Sequence, residues 1–315
     1  MGIRQKKYSI SKKSKLLQRR LFAVRIGLTL ALVTIMASGR FLVDQALTFE
    51  ASNQSSAVST VPNPSPLEVP TVVSKESLLQ TVEVSRSQQV QEVIDGFIAE
   101  HSDGDIAVSV QALDGSFSAG HKQQQAYNSA SLYKTLAAYK VLQMVDANEL
   151  SLSQQTSTEK TIEECIEAAI TVSDNPCGIV LQSLAGGSST DQATLTWGYN
   201  ETTLSGYYPQ TSAYDQNQLF ADIYNGNRLS ADSRTLLLSY LADQKITNRT
   251  PEYGDATLYL KTGDLSSVIH SAGLVESSDL SYTIAVLTDD WDVDLHSKYS
   301  AISEIHVQIH EAIKQ

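Results

Sequence analysis

The chain is poor in cysteine: Cys165 and Cys177 are the only two in 315 residues. They permit a single disulfide, the expected state in an oxidising compartment. A pair of buried thiols is the alternative. Histidine is also scarce, with six in the chain. His306 and His310 could share a helix face, but no third ligand accompanies them, so neither a metal nor another cofactor is expected. No internal repeat is present, which argues against a solenoid or an array. Acidic residues are absent from the first 43 positions, and Asp44 is the first.

That last absence divides the chain. Ten of its 23 Lys and Arg lie in residues 1–43, leaving 13 to face all 35 Asp and Glu. Residues 1–20 form a basic tail, and residues 21–43 are apolar apart from Arg25, Arg40 and a few small polar side chains. The uninterrupted part, Ile26 to Gly39, is short for a spanning helix and within the range of a signal-peptide core. Snorkelling arginines would let the longer stretch span, and no clear small-residue cleavage site follows. An uncleaved single membrane anchor is therefore expected, with a cleaved signal as the alternative. The basic arm reads as cytoplasmic by the positive-inside rule, with the remainder outside the membrane. A nucleic-acid partner is not expected.

Residues 44–85 are rich in Ser, Pro, Val, Gln and Thr, including Pro62-Asn63-Pro64-Ser65-Pro66, and read as a tether. Periodicity begins near Ser87: Val90, Val93, Ile94 and Phe97 have helical spacing. Ile106–Leu113 reads as a strand and Asp114-Gly115-Ser116 as a turn, with a shorter second strand before Ser131. Residues 131–245 read mostly as helix. Ala256–Thr262, Val268–Glu276 and Tyr282–Thr288 read as strands, with a closing helix from about Tyr299. Strands at both ends with helices between them predict an α/β domain over 86–315. Its antiparallel sheet is flanked by the terminal helices, with a helical domain inserted.

Three short motifs carry the chemistry. Ser131 and Lys134 open an apolar helical run, three apart and so on one helix face. A serine there has a potential base one turn away, provided that desolvation or a second cation lowers the lysine pKa. Ser173-Asp174-Asn175 follows, and on its own would read as a helix cap. Lys261-Thr262-Gly263 ends an apolar strand, where glycine permits close approach. S-x-x-K, S-D-N and K-T-G in this order resemble the signature of class A β-lactamases and penicillin-binding proteins, over roughly residues 86–315.

That resemblance implies a β-lactamase-like fold and a set of roles. Ser131 would be the acylated nucleophile and Lys134 its proton acceptor, alone or through a relay. Ser173 would pass a proton to the leaving nitrogen, and Asn175 would bind the substrate's amide side chain. Lys261 and Thr262 would hold a substrate carboxylate. The backbone N–H groups of Ser131 and Asp264 would form the oxyanion hole, with Gly263 allowing the approach. An acidic domain repels anions, so the local cations Lys134 and Lys261 must attract an anionic substrate.

The pattern is degraded in places. The nearest match to the deacylating E-x-x-L-N loop is Glu201-Thr202-Thr203-Leu204-Ser205, with Ser in place of Asn and a shorter loop after it. Tyr199 and Gln210 stand where an Arg–Asp clamp is usual, so a poorly held loop is expected. The usual arginine after K-T-G is missing, with His270 near its place. The expected activity is β-lactam hydrolysis. The alternatives are a D-alanyl-D-alanine carboxypeptidase acting on peptidoglycan stem peptides, and a penicillin-binding sensor that acylates without turnover.

Overall fold

A computed structural model describes the backbone of residues 75–314 except Glu252 and Asp255, with side chains from Arg86 onward. The expected basic tail, the apolar stretch 21–43 and most of the tether lie outside the described residues. Among the described residues, no helix is long and apolar enough to cross a membrane.

Helix α1 (Lys75–Glu100) begins well before Ser87, within the stretch read as tether. Its buried stripe is Val90, Ile94 and Phe97, the spacing that marked it in the sequence. Strands β1 (Asp105–Ala112) and β2 (Ser118–His121) form a hairpin. After the helical region come β5 (Thr257–Asp264), β6 (Ile269–Glu276) and β7 (Tyr282–Asp289), and then the last helix, α8 (Leu295–Lys314). These five strands make one antiparallel sheet in the order β2-β1-β7-β6-β5.

The central strands are buried on both faces, and side-chain alternation sorts them into two cores. On one side, Ile106, Val108 and Val110 of β1 join Ile284 and Val286 of β7. There they meet Val90 and Ile94 of α1 and Ile302, Ile305 and Ile309 of α8. On the other side, Ala107, Ala272, Leu274, Ala285 and Leu287 pack against the helical region. Each large aliphatic side chain buried this way contributes about 1.5–3 kcal/mol. The sheet is thus a wall between its terminal helices and the inserted helices, as the alternation of strands and helices in the sequence predicts.

The inserted region is centred on α2 (Tyr133–Asp146), which buries Leu136, Ala137, Ala138, Tyr139, Val141 and Leu142. No residue from Tyr133 to Leu142 is exposed, and Lys134 and Thr135 are buried with the apolar side chains, which places the helix in the interior. Around it lie α3 (Ile162–Thr171), α4 (Asn175–Leu184), α5 (Gly187–Trp197), α6 (Ala213–Asn225) and α7 (Ala231–Ala242). Helix α3 starts with a capping box: Thr161 accepts from the Glu164 N–H, and Glu164 accepts in return from the Thr161 N–H. Cys165 of α3 and Cys177 of α4 form a disulfide, with both residues fully buried. A small two-stranded ribbon, β3 (Tyr127–Asn128) with β4 (Gln210–Thr211), ties the chain before Ser131 to the end of the 199–211 loop.

Candidate active site

Ser131 sits in a 3-10 turn, Ala130–Leu132, that leads directly into α2. The turn is strained: Ala130 has φ +45°, a left-handed conformation costly for a residue with a Cβ. Three contacts hold it there. The Asn128 side chain accepts from the Ala130 N–H at 3.0 Å, the Leu132 N–H bonds the Ser129 carbonyl at 2.9 Å, and Ser129 N–H bonds the Pro209 carbonyl at 2.8 Å.

One helical turn on, Lys134 is fully buried and its Nζ lies 3.0 Å from Ser131 Oγ. It also contacts the Ser173 carbonyl at 2.6 Å, Ser173 Oγ at 3.2 Å and Asn175 Oδ1 at 2.8 Å. Burial lowers its pKa to about 8, against a weaker upward pull from Asp174. Ser173, like Ala130, is left-handed, at φ +58°. Asp174 caps α4 by accepting from the Cys177 N–H at 2.8 Å, with a proline in the first turn. The capping reading of Asp174 therefore holds, while its neighbours Ser173 and Asn175 face Lys134.

Lys261 reaches the same hydroxyl from β5. Its Nζ is 3.0 Å from Ser173 Oγ and 2.9 Å from the Thr262 carbonyl. Burial, then the positive charges of Lys134 and Arg249, hold Lys261 well below the ordinary lysine range, against an opposing pull from Asp264. Ser173 Oγ is thus a hub between two buried amines. Gly263 brings β5 against the turn that carries Ser131. A Cβ there would stand 3.2 Å from Ala130 Cβ and 3.3 Å from the Ser129 carbonyl oxygen. Thr262 is buried and its Oγ1 has no hydrogen-bond partner. The Asp264 carboxylate is taken by Arg249.

One position left without a role is now described, and one expectation needs correction. His270 supplies no cation beside K-T-G. It is fully buried, and burial pushes its pKa down to about 4. Its Nδ1 accepts from the Thr288 N–H at 3.1 Å, which leaves Nε2–H to donate to the Asn128 carbonyl at 2.8 Å. It is a strut under the Asn128–Ala130 turn. The 199–211 loop, in turn, is well held. Asp215 accepts from the Glu201 N–H and the Thr202 hydroxyl, each at 2.8 Å. Asp191 accepts from the Leu204 and Ser205 N–H groups and from the Ser205 hydroxyl, and Gln182 donates to the Leu204 carbonyl. The Thr203 N–H bonds the Gln210 carbonyl at 3.0 Å, while Tyr199 turns away to donate to Asp222.

Glu201 nevertheless faces solvent, and its carboxylate makes no hydrogen bond to Ser131, Lys134, Ser173 or Asn175. Sequence reading also missed Arg249, Asp191, Asp215 and Gly178. Gly178 had a faint signal, an interior glycine in a helix, which calls for a packing reason. A Cβ there would lie 2.6 Å from Lys134 Cε.

A buried lysine on a serine hydroxyl, within this α/β architecture, defines the class: a serine hydrolase. The family follows from comparison. A family model described as the β-lactamase enzyme family matches residues 85–313, and the chain belongs to that family. Solved structures share the fold. A β-lactamase from Sphaerobacter thermophilus is 21% identical with a TM-score of 0.65, the match covering 72% of this chain and 97% of that one. PBP-A is 21% identical with a TM-score of 0.62, over 72% and 96%. The chromosome-encoded β-lactamase of Vibrio parahaemolyticus is 19% identical with a TM-score of 0.64, over 72% and 99%. No curated protein matches the chain.

Proposed function

We propose that this protein acylates itself on Ser131 with β-lactams and hydrolyses the adduct, with release as the slow step. Neutral Lys134 takes the Ser131 hydroxyl proton as Oγ attacks the lactam carbonyl carbon. The C–N bond breaks, and the proton passes through the Ser173 hydroxyl to the leaving nitrogen. Water then cleaves the ester and restores Ser131. The observation that carries the reading is the Ser173 hydroxyl, within 3.2 Å of Lys134 Nζ and 3.0 Å of Lys261 Nζ, with Lys134 in turn 3.0 Å from Ser131 Oγ. It offers a continuous proton path from nucleophile to leaving group.

The two amines share one hydroxyl, and the charge of Lys134 adds to burial in disfavouring the charge of Lys261. Loss of one proton from the pair creates the base. A substrate carboxylate docked at Lys261 would favour there the charge that burial, Lys134 and Arg249 disfavour in its absence. Asn175 contributes a side-chain amide for the substrate's acyl side, and the backbone N–H groups of Ser131 and Asp264 are the proposed oxyanion donors.

The solvent-facing Glu201 favours a second reading, in which acylation is efficient and turnover is not. A carboxypeptidase acting on a D-alanyl-D-alanine stem peptide, or a penicillin-binding sensor, would use the same acylation apparatus. A point mutant of PBP-A, among the structural matches, has been solved as an acyl-enzyme complex with penicillin G. Incubation of the full chain with a chromogenic cephalosporin, followed by intact mass, tests the proposal. Turnover with a transient Ser131 adduct supports hydrolysis. A stable stoichiometric adduct supports the second reading, and no adduct refutes both.

A further inference from the structure

Beneath the turn that carries Ser131, a fully buried imidazole joins the five-stranded sheet to the two-stranded ribbon. His270 lies on β6 opposite Gly263 of β5, and the pairing of β6 with β7 ends one residue away, at Ser271–Val286. Beyond that rung the Thr288 side chain takes over. Its hydroxyl donates to the Ile269 carbonyl at 2.8 Å and accepts from the Ile269 N–H at 3.2 Å. The Thr288 N–H is left to the ring and donates to His270 Nδ1 at 3.1 Å. Because Nδ1 accepts, Nε2 holds the proton of the neutral ring and donates it to the Asn128 carbonyl at 2.8 Å. The Tyr127 ring meets the imidazole edge to face at 6.4 Å.

From Asn128 the path runs to Ser131. The Asn128 side chain accepts from the Ala130 N–H at 3.0 Å, at the residue held at φ +45°. Peptide planarity means that the torsions of Ala130 aim the Ser131 N–H. An alanine so placed relaxes to negative φ unless its neighbours forbid it, and relaxation would swing that N–H away. The ribbon alone is a weak anchor, since β3 and β4 have two residues each. The imidazole supplies a second anchor from inside the sheet.

We infer that His270 is a positioning residue for acylation: it fixes Asn128, which keeps Ala130 left-handed and the Ser131 N–H aimed at the acyl carbonyl oxygen. Its effect belongs on the limiting acylation rate rather than on donor binding, because an aligned N–H gains most from the developing oxyanion.

The inference rests on acylation of Ser131. The full chain is mixed with a penicillin at rising concentration, and intact mass gives the limiting acylation rate and the half-saturating concentration. Thermal melting reports the fold. In His270→Asn the amide stands at the place of Nδ1, so Thr288 keeps an acceptor while the reach to Asn128 is lost. The limiting rate should fall at least about tenfold, since outright loss of an oxyanion donor typically costs about a hundredfold or more. Half-saturation should move less than about threefold. The conservative His270→Gln reaches the Asn128 carbonyl and should hold the rate within about threefold of the unmodified protein. Adding Ala130→Gly to His270→Asn should recover the rate to the same range, because glycine takes positive φ without a steric cost.

Equal rates for His270→Asn and the unmodified protein would make the ring a space-filler and overturn the inference. Slowing by both histidine variants, with no recovery from Ala130→Gly, would place the effect in packing and overturn it too. Should the histidine variants not fold, Asn128→Ala breaks the same path at its far end. A tenfold loss recovered by Ala130→Gly then upholds the inference, and any other result refutes it. Absence of any adduct on the unmodified protein removes the acylation proposal together with this inference. An adduct that forms while the variants depart from these patterns removes only the inference.

Discussion

At the scale of the residue, reactivity is set by burial. Lys134 is surrounded by oxygen atoms yet sealed from water, and that pulls its pKa to about 8. The fraction able to act as a base therefore grows with pH below that value. The acylation rate should climb from pH 6 to about 8 and level off above it; a flat profile measured with a labelled penicillin would argue against Lys134 as the base. Ser131→Ala should abolish labelling. Lys134→Ala should slow it by about a hundredfold or more, since positioned proton transfer typically contributes that much. Gly178→Ala probes the support of the base. The new methyl would stand 2.6 Å from Lys134 Cε and 2.8 Å from the Tyr133 hydroxyl. Overpacking of this kind costs about 1–3 kcal/mol. Acylation should fall at least tenfold while thermal melting shows the domain still folded.

At the scale of the element, the 199–211 loop separates two properties that sequence reading had joined. It is held by Asp191, Asp215 and Gln182, yet the carboxylate it carries points to solvent. Ser205, at the place of the usual asparagine, is spent on Asp191. A base must hold its water within hydrogen-bond reach of the acyl carbonyl. Glu201→Gln should therefore change acyl-enzyme release by less than about tenfold, read as decay of the adduct mass. A hundredfold slowing would return Glu201 to the role of base. The disulfide belongs to this scale too, because it joins α3 to the first turn of α4, next to Ser173 and Asn175. Replacing both cysteines with serine should cost about 3 kcal/mol on the chain-entropy estimate for a loop of this size, measurable by urea unfolding.

For the whole molecule, buried histidines link stability to pH. His270 and His306 are both fully buried, and burial depresses each from 6.5 to about 4. Between those values the unfolded chain binds more protons than the folded one, so stability rises with pH. The contribution is complete above about pH 6.5 and is lost as pH falls toward 4. Two such groups give a slope of up to about 2.7 kcal/mol per pH unit. Urea midpoints at pH 7, 6 and 5 should fall accordingly, and equal midpoints would mean that the histidines are accessible when folded.

Much of the architecture was legible in the amino-acid order alone. Val90, Ile94 and Phe97 announced their helix by spacing, a local consequence of backbone period, and strands at both ends of the domain with helices between them announced an antiparallel sheet. The motif residues were legible for the same reason: Ser131 and Lys134 lie one helical turn apart, and Lys261 ends a strand. What no local pattern contains is the partner across the fold. Arg249 lies 15 residues before Asp264, and Asp191 and Asp215 lie on separate helices, so their contacts exist only once the chain is packed. His270, near the place of the missing arginine, is neutral because packing removed its water and with it the stability of the charged form. The sequence by itself determined the elements, the sheet and the chemical identity of the candidate groups. Tertiary structure alone decided which charges are neutralised, which loop is held and which carboxylate faces solvent, because desolvation and pairing are properties of packed neighbours rather than of chain order.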